Sequence, residues 1–375
     1  MTAPEWSKGL EGVVATDTKI SLVDGQNGRL IYRGYDAKEL SLAYTFEEVC
    51  FLLWNGHLPD QNELAELSQQ FRKGRELPEH TRKILKELPQ DMSMMGVIRT
   101  CLSSLENTFF SWPPTIEQAV AATSTVPVII ASRMAYLAGK EPLKSDDSLD
   151  HVANYLYLIH EKQPSETQIK ALTVYCILTM EHGMNASTFA SRVIASTESD
   201  LISSVAGAIG AMKGPLHGGA PSEVTHMLND IGSKERAEAW ITAKLENKEK
   251  LMGFGHRVYK TTDPRSEALK EMTKQLAGEN SWLDLAYHVE EIALRLLDYY
   301  KPGRRLYTNV EFYAAAILKA VELPSELFTP TFTASRMVGW TANIIEQSQD
   351  NRIFRPQSIY TGSVPENKEK PASRL

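Results

Sequence analysis

Three of the nine histidines stand where glycine breaks a helix. His182 lies in EHGMNAS, His217 in GPLHGGA and His256 in MGFGHRVYK. Glycine at such places lets the backbone approach a ligand closely. One such histidine alone reads as a structural turn; three in one chain shift the reading toward a site. The other six, His57, His80, His151, His160, His226 and His288, fall in polar or amphipathic helical settings. They read as surface or hydrogen-bonded residues. One carboxylate joins the three: Glu311 interrupts the apolar and aromatic run VEFYAAAIL. Apolar neighbours destabilise its charged form and make it a stronger base. On this stretch alone, a helix carboxylate facing water is an equally good reading.

Charge gathers around His256. Residues 252–265 carry three cations, Arg257, Lys260 and Arg265, against the single anion Asp263, in a chain of net charge −7. Gly253, Gly255 and Pro264 make a continuous helix poor there, so the cations belong to a loop. Arg offers a planar fork and Lys a point charge, both suited to carboxylates or phosphates. Arg336 in TASRMVGW and Arg355 in IFRPQS are two more cation sites, each unremarkable alone.

Other chemistries fit less well. There is no GxxxxGK[ST], and GFGHRV lacks the third glycine and the preceding strand of a dinucleotide fold. No HExxH occurs, and no cysteine lies near the three histidines. A metal-dependent lyase or hydrolase built on His182, His217 and His256 stays open, although the flanking cations oppose a dication. GMNAS and GPLHGG do not make a GxSxG nucleophile elbow. The mild acidity argues against nonspecific nucleic-acid binding. Cys50, Cys101 and Cys176 are widely spaced and form no CxxC, which fits reduced thiols and a cytoplasmic location. No secretory h-region is evident, and no membrane span is expected.

These residues need elements to hold them. TKISLVDGQNGRLIYRGYD reads as a hairpin, with Ile20, Leu22, Leu30 and Tyr32 flanking a turn-rich DGQNG. Beyond it the helical period dominates. LAYHVEEIALRLLDYY places Leu285, Val289, Ile292, Leu296 and Tyr300 on one face. Thr115 with Gln118, and Ser165 with Gln168, have capping-box spacing. ALTVYCILTM is apolar all round and predicts a helix buried on every side. The expected class is mostly α, with a short N-terminal β-hairpin. Prolines and glycines cluster at 214–221 and 322–332. They suggest a large domain of residues 1–218 and 323–375, with a smaller helical domain, 219–322, inserted between two hinges.

Taken together, EHGMNASTFASRV, GPLHGGA, MGFGHRVYKTTDPR, TNVEFYAAA, FTASRMVGW and FRPQSIYTG resemble the signature segments of citrate synthases, in the family's order and spacing. The wording is closest to the short enzymes of Gram-positive bacteria. The resemblance covers nearly the whole chain. It implies a homodimer whose small domain closes over the substrates. The implied reaction is a metal-free condensation of acetyl-CoA with oxaloacetate and water, giving citrate and CoA.

Roles follow residue by residue from the resemblance. His217 matches the hydrogen-bond donor to the acetyl carbonyl. Glu311 matches the base, usually Asp, that takes a methyl proton. His256 matches the residue that polarises the oxaloacetate ketone. His182, Arg265 and Arg336 match the groups that hold carboxylates, and Arg355 one that reaches the neighbouring subunit's site. Lys260 matches a cation for CoA phosphate. The backbone of Leu251, Met252, Gly253, Phe254 and Gly255 matches an adenine-recognising loop, with Arg304 and Arg305 as further CoA contacts. Asn343 stands where many members have His. The rival within the family is 2-methylcitrate synthase, which uses propionyl-CoA.

Overall fold

The computed structural model describes residues 6–218, 220–256, 258–259, 261–276 and 281–363 of the 375-residue chain. A three-stranded antiparallel sheet comes first: β1 (Ser21–Asp24), β2 (Arg29–Tyr32) and β3 (Tyr35–Asp36), in that spatial order. Sixteen helices follow among the described residues. They are α1 (Ala37–Ala43), α2 (Phe46–Asn55), α3 (Gln61–Lys73), α4 (Glu79–Glu87), α5 (Met94–Ser103), α6 (Ile116–Leu137), α7 (His151–His160) and α8 (Glu166–Thr179). The second half holds α9 (Ala186–Ala195), α10 (Leu201–Met212), α11 (Ala220–Ile231), α12 (Lys234–Glu246), α13 (Pro264–Leu276), α14 (Ser281–Tyr300), α15 (Val310–Ala320) and α16 (Phe328–Gln349). The mostly helical class with a small N-terminal sheet is as expected.

The capping signals work as read. Thr115 and Gln118 make both bonds of a capping box at the start of α6, and Ser165 and Gln168 do the same for α8. Each box satisfies two main-chain donors that the first turn leaves unpaired. In α8, residues 171–179 are buried on every side. Leu285, Val289, Ile292 and Leu296 line the buried face of α14, with Tyr300 half-buried at its end. By length and composition α6 could cross a membrane, but 72% of its most apolar window is buried inside the fold. Cys50, Cys101 and Cys176 are buried free thiols.

The hairpin differs from expectation at one position. Ile20, Leu30 and Tyr32 are buried, but Leu22 is 53% exposed. The reason is what lies on the opposite face of β1. Ser21 and Val23 face the segment that carries His182: Ser21 Oγ donates to Glu181 Oε1 at 2.9 Å, and Val23 packs on Gly183. Successive side chains on a strand point to opposite faces, so Leu22 is turned away.

In the second half, α13 packs on α15, and both pack on α8. α1 also reaches α13, where Lys38 approaches Glu267 and Glu271. Helices α9 and α10 pair, and α16 runs through the interior against α6, α8, α9 and α10. Loops between these helices carry His182, His217 and His256, while Arg265, Glu311 and Arg336 sit on α13, α15 and α16.

Candidate active site

His256 sits in the loop before α13, which opens with Pro264 as its first residue, the position that tolerates a missing N–H. The main-chain N–H groups of Val258 and Tyr259 both donate to Nδ1 of His256, at 3.0 and 3.1 Å. A ring nitrogen that accepts cannot carry the proton, so the neutral ring is protonated at Nε2. Arg265 Nη2 stands 3.3 Å from that Nε2. In that tautomer the ring and the guanidinium both offer a donor to the same place, a geometry suited to an oxygen acceptor.

Arg265 is held in turn by Asp263. Nε donates to Oδ1 at 3.0 Å and Nη2 to Oδ2 at 2.8 Å, both residues being buried. The Asp263 charge keeps the Arg265 guanidinium protonated against the cost of burial. His182 lies beside this pair. Its Nε2 is 3.1 Å from the Tyr259 hydroxyl, and its ring meets the His256 ring edge-on at 5.8 Å. Burial, then the charges of Arg265 and Arg336, hold His182 well below the usual imidazole range. It is neutral at pH 7.

Arg336, on α16, is buried; its Nε donates to Thr179 O at 2.6 Å and its guanidinium lies 4.7 Å over the Phe332 ring. Among the described residues no carboxylate is within 4.0 Å of it, although its charge is felt at His182, His217 and Glu311. The nearby buried carboxylate is Glu181. It accepts from Ser21, from Gly183 N and from Asn343 Nδ2, while Asn343 Oδ1 accepts from Arg192. Asn343 thus joins Arg192 to Glu181, the residue before His182.

His217 is half-buried at the turn after α10, its N–H bonded to Gly214 O at 2.9 Å. Its Nε2 is 2.8 Å from Ser187 Oγ, which also accepts from Trp340 Nε1 at 3.0 Å. Burial, then Arg336, lowers His217 to about 4, so it too is neutral at pH 7.

Glu311 occupies the first turn of α15, whose N-cap Asn309 accepts from Glu311 N at 3.0 Å. Burial pushes its carboxyl up to about 7, with Arg265 and Arg336 opposing and Asp263 assisting. It shares a cavity of about 430 Å³ with Leu251, Met252, Gly253, Phe254, Gly255, His256 and Arg304. The 251–255 loop is pinned to the entry of α15: Gly255 N donates to Tyr307 O, Asn309 N to Gly253 O, and Asn309 Nδ2 to Gly255 O. Gly253 and Gly255 have φ of +84° and +81°. A side chain there would be strained, and its Cβ would meet Phe312 or Leu306 at 2.9 Å.

The structure thus gathers His182, His256, Arg265 and Arg336, and sets Glu311 with the glycine loop at one cavity. Arg304 lines that cavity, but Arg305 is exposed and outside its lining. Arg355 is exposed, with no bonding partner in its own chain among the described residues. Lys260 and Arg257 lie outside the described residues. Among the described residues, no group of three or more His, Cys, Asp or Glu is placed to hold a metal ion.

Sequence reasoning missed Asp263, Tyr259 and Ser187. The DPR triplet could have shown Asp263, as an acid just before a helix-opening proline. Ser187 and Tyr259 carry no such mark; they act through partners far along the chain.

Comparison with known proteins gives a consistent picture. A family profile described as "Citrate synthase, C-terminal domain" matches residues 9–357. "Citrate synthase 2" of Bacillus subtilis is 39% identical over 365 residues, covering 95% of this chain and 96% of that protein. A "2-methylcitrate synthase" of Shewanella oneidensis is 38% identical over 363 residues, covering 95% of each. Among solved structures, a citrate synthase from Thermotoga maritima superposes with a TM-score of 0.86 at 40% identity, over 96% of each chain. A Thermoplasma acidophilum citrate synthase, in ternary complex with carboxymethyl coenzyme A and oxaloacetate, gives a TM-score of 0.87 at 27% identity, over 99% of this chain and 100% of that one.

Proposed function

Since the chain belongs to the citrate synthase family, we propose that it condenses acetyl-CoA with oxaloacetate and water, giving citrate and CoA. What supports this most is one arrangement: Glu311, raised to about 7 by burial, within the electrostatic reach of Arg265 and Arg336. A dianionic substrate needs buried cations, and a weak carbon acid needs a base of raised affinity for protons.

Oxaloacetate carboxylates pair with Arg265 and Arg336, beside the neutral His182. The ketone oxygen accepts from His256 Nε2–H, a donor fixed by the two main-chain bonds to Nδ1. Negative charge grows on that oxygen during addition, so a preorganised donor helps most in the transition state. Glu311 takes a proton from the thioester methyl, and His217 donates to the enolate oxygen that forms.

His217 must donate while neutral. Ser187 has one hydroxyl proton and two acceptors within reach, Asn185 Oδ1 at 2.7 Å and His217 Nε2 at 2.8 Å; the proposed role of His217 requires that proton on His217 Nε2 during the reaction. The ring proton then stays on Nδ1, the donor to substrate. The enolate carbon attacks the ketone carbon, and water hydrolyses the citryl thioester. No step calls for a metal.

Closure of residues 219–322 over 1–218 and 323–375 would exclude water until the carbon–carbon bond forms. The 251–255 loop, Arg304 and Lys260 serve CoA. A homodimer lets Arg355 reach the neighbouring site, which suits its exposure here. The location is cytoplasmic.

Relatives of nearly equal identity include 2-methylcitrate synthases, so propionyl-CoA is the second reading. One methyl in an apolar pocket is worth about 1–3 kcal/mol. Steady-state thiol release with acetyl-CoA and propionyl-CoA, at saturating oxaloacetate, tests the choice. A higher kcat/KM for acetyl-CoA supports the proposal; the reverse order replaces it with 2-methylcitrate synthesis.

A further inference from the structure

The hairpin of β1, its turn and β2 touches both histidine-bearing loops that flank the proposed oxaloacetate end of the site. Ser21 and Val23, two apart on β1, share one face of the strand, and Gly25 is the first residue of the turn that follows. Ser21 Oγ donates to Glu181 Oε1 at 2.9 Å, on the segment leading into His182. A Cβ on Gly183, just after His182, would lie 3.0 Å from Val23 Cγ2. Gly25 lies against Val258: a Cβ there would overlap the Val258 carbonyl oxygen, with the carbonyl carbon at 2.7 Å. The N–H of the same Val258 donates to His256 Nδ1. The hairpin turn repeats the contact at Gly28, where a Cβ would stand 3.0 Å from Thr262 O.

We infer that this hairpin is a strut that sets the spacing of the His182 and His256 loops, and that Gly25 is a positioning residue for His256. The mechanism is steric. Gly25 has no side chain, so the turn seats directly on the peptide of residue 258. Any added carbon pushes on main chain, which cannot rotate away as a side chain would. A push on Val258 moves the N–H that fixes His256 in its Nε2-protonated form. Gly25 shows no positive φ, so alanine there adds contact without backbone strain. Leu22, on the other face of β1 and 53% exposed, touches neither loop contact. This inference rests on the functional reading above.

The test compares Gly25→Ala with Leu22→Ala in the full-length protein. Gly25→Ala is expected to raise KM for oxaloacetate and lower kcat, together costing roughly tenfold to a hundredfold in kcat/KM, as small displacements of catalytic groups do. KM for acetyl-CoA is expected to rise by less than KM for oxaloacetate, because the 251–255 loop is not touched and, of the groups proposed to serve CoA, only Lys260, two residues after Val258 in the sequence, is close to the push. Leu22→Ala behaves as wild type. The nitrogen-15 spectrum of the His256 ring should show the Nε2–H form in wild type and a changed tautomer balance in Gly25→Ala. If Gly25→Ala does not fold, Val23→Ala carries the test: it withdraws a side chain from Gly183 and adds nothing. It is expected to raise oxaloacetate KM by roughly threefold or more. Unchanged oxaloacetate kinetics in Gly25→Ala, or in Val23→Ala where that variant is needed, overturns the strut. So does a loss shared equally by both substrates. A wild-type protein that releases no thiol from acetyl-CoA with oxaloacetate overturns the functional reading instead.

Discussion

Asp263 holds Arg265 in a two-point fork, and the same Oδ2 also accepts from Val310 N at 3.2 Å, the residue before Glu311. One carboxylate thus ties Arg265, proposed to hold oxaloacetate, to the start of the helix that carries Glu311, the proposed base. Asp263→Asn loosens both links. Oxaloacetate KM should rise by roughly tenfold or more, since breaking a buried, hydrogen-bonded charge pair costs about 3–5 kcal/mol when one partner is lost. Asp263 also helps to raise Glu311, so its loss should move the acidic limb of the pH–rate profile to lower pH. Measuring kcat/KM for oxaloacetate against pH checks both. An unmoved limb would deny the coupling.

The pH dependence of Glu311 has a definite sign. Its carboxyl is raised from 4.5 to about 7 on folding, so a base at this position works only as pH rises through 7. Stability runs the other way. A raised carboxyl contributes fully below its unfolded value near 4.5, and that contribution is lost as pH climbs through about 7. Relative to wild type, Glu311→Gln should therefore melt progressively higher between pH 5 and 8. Thermal melts of the two proteins across that range (approximate bounds set by the same shift) check it. A constant difference would place the carboxylate in solvent.

Much of the architecture was legible in local chemistry. The capping boxes of α6 and α8 and the apolar stripe of α14 follow from spacing alone. So does the loop character of 252–256, because its glycines disfavour helix. Leu22 was not legible. Its alternation with Ile20 suggests burial, yet the face of β1 that counts is the one where Ser21 meets Glu181, 160 positions further on. The same holds for Ser187, which orients His217 from 30 residues away. Short-range pattern reports which face is apolar; it does not report which polar groups meet across the fold.

Ser187 gives a third test. Its oxygen bridges His217 Nε2 and Trp340 Nε1. Ser187→Ala removes the hydroxyl that the proposed mechanism uses to keep the His217 proton on Nδ1. We expect kcat to fall roughly tenfold to a hundredfold, with oxaloacetate KM nearly unchanged. Ser187→Thr should recover part of the loss. Equal changes in both parameters would point to general disruption.

Gly253→Ala addresses the CoA side. The substitution forces a side chain to φ +84° and sets its Cβ 2.9 Å from the Phe312 ring. The backbone term alone is about 1–2 kcal/mol. Acetyl-CoA KM should rise roughly tenfold while oxaloacetate binding, read by calorimetry, stays close to wild type. A selective loss of oxaloacetate binding would contradict the assignment of this loop.

The central claim is that Glu311 makes the acyl-CoA methyl carbon nucleophilic. Thiol release from acetyl-CoA, measured with and without oxaloacetate for wild type and Glu311→Gln, tests it most directly. The account predicts oxaloacetate-dependent release by wild type and a loss of about 10²–10⁴-fold in the variant, the size expected for a general base. A Glu311→Gln enzyme with near wild-type turnover would contradict it.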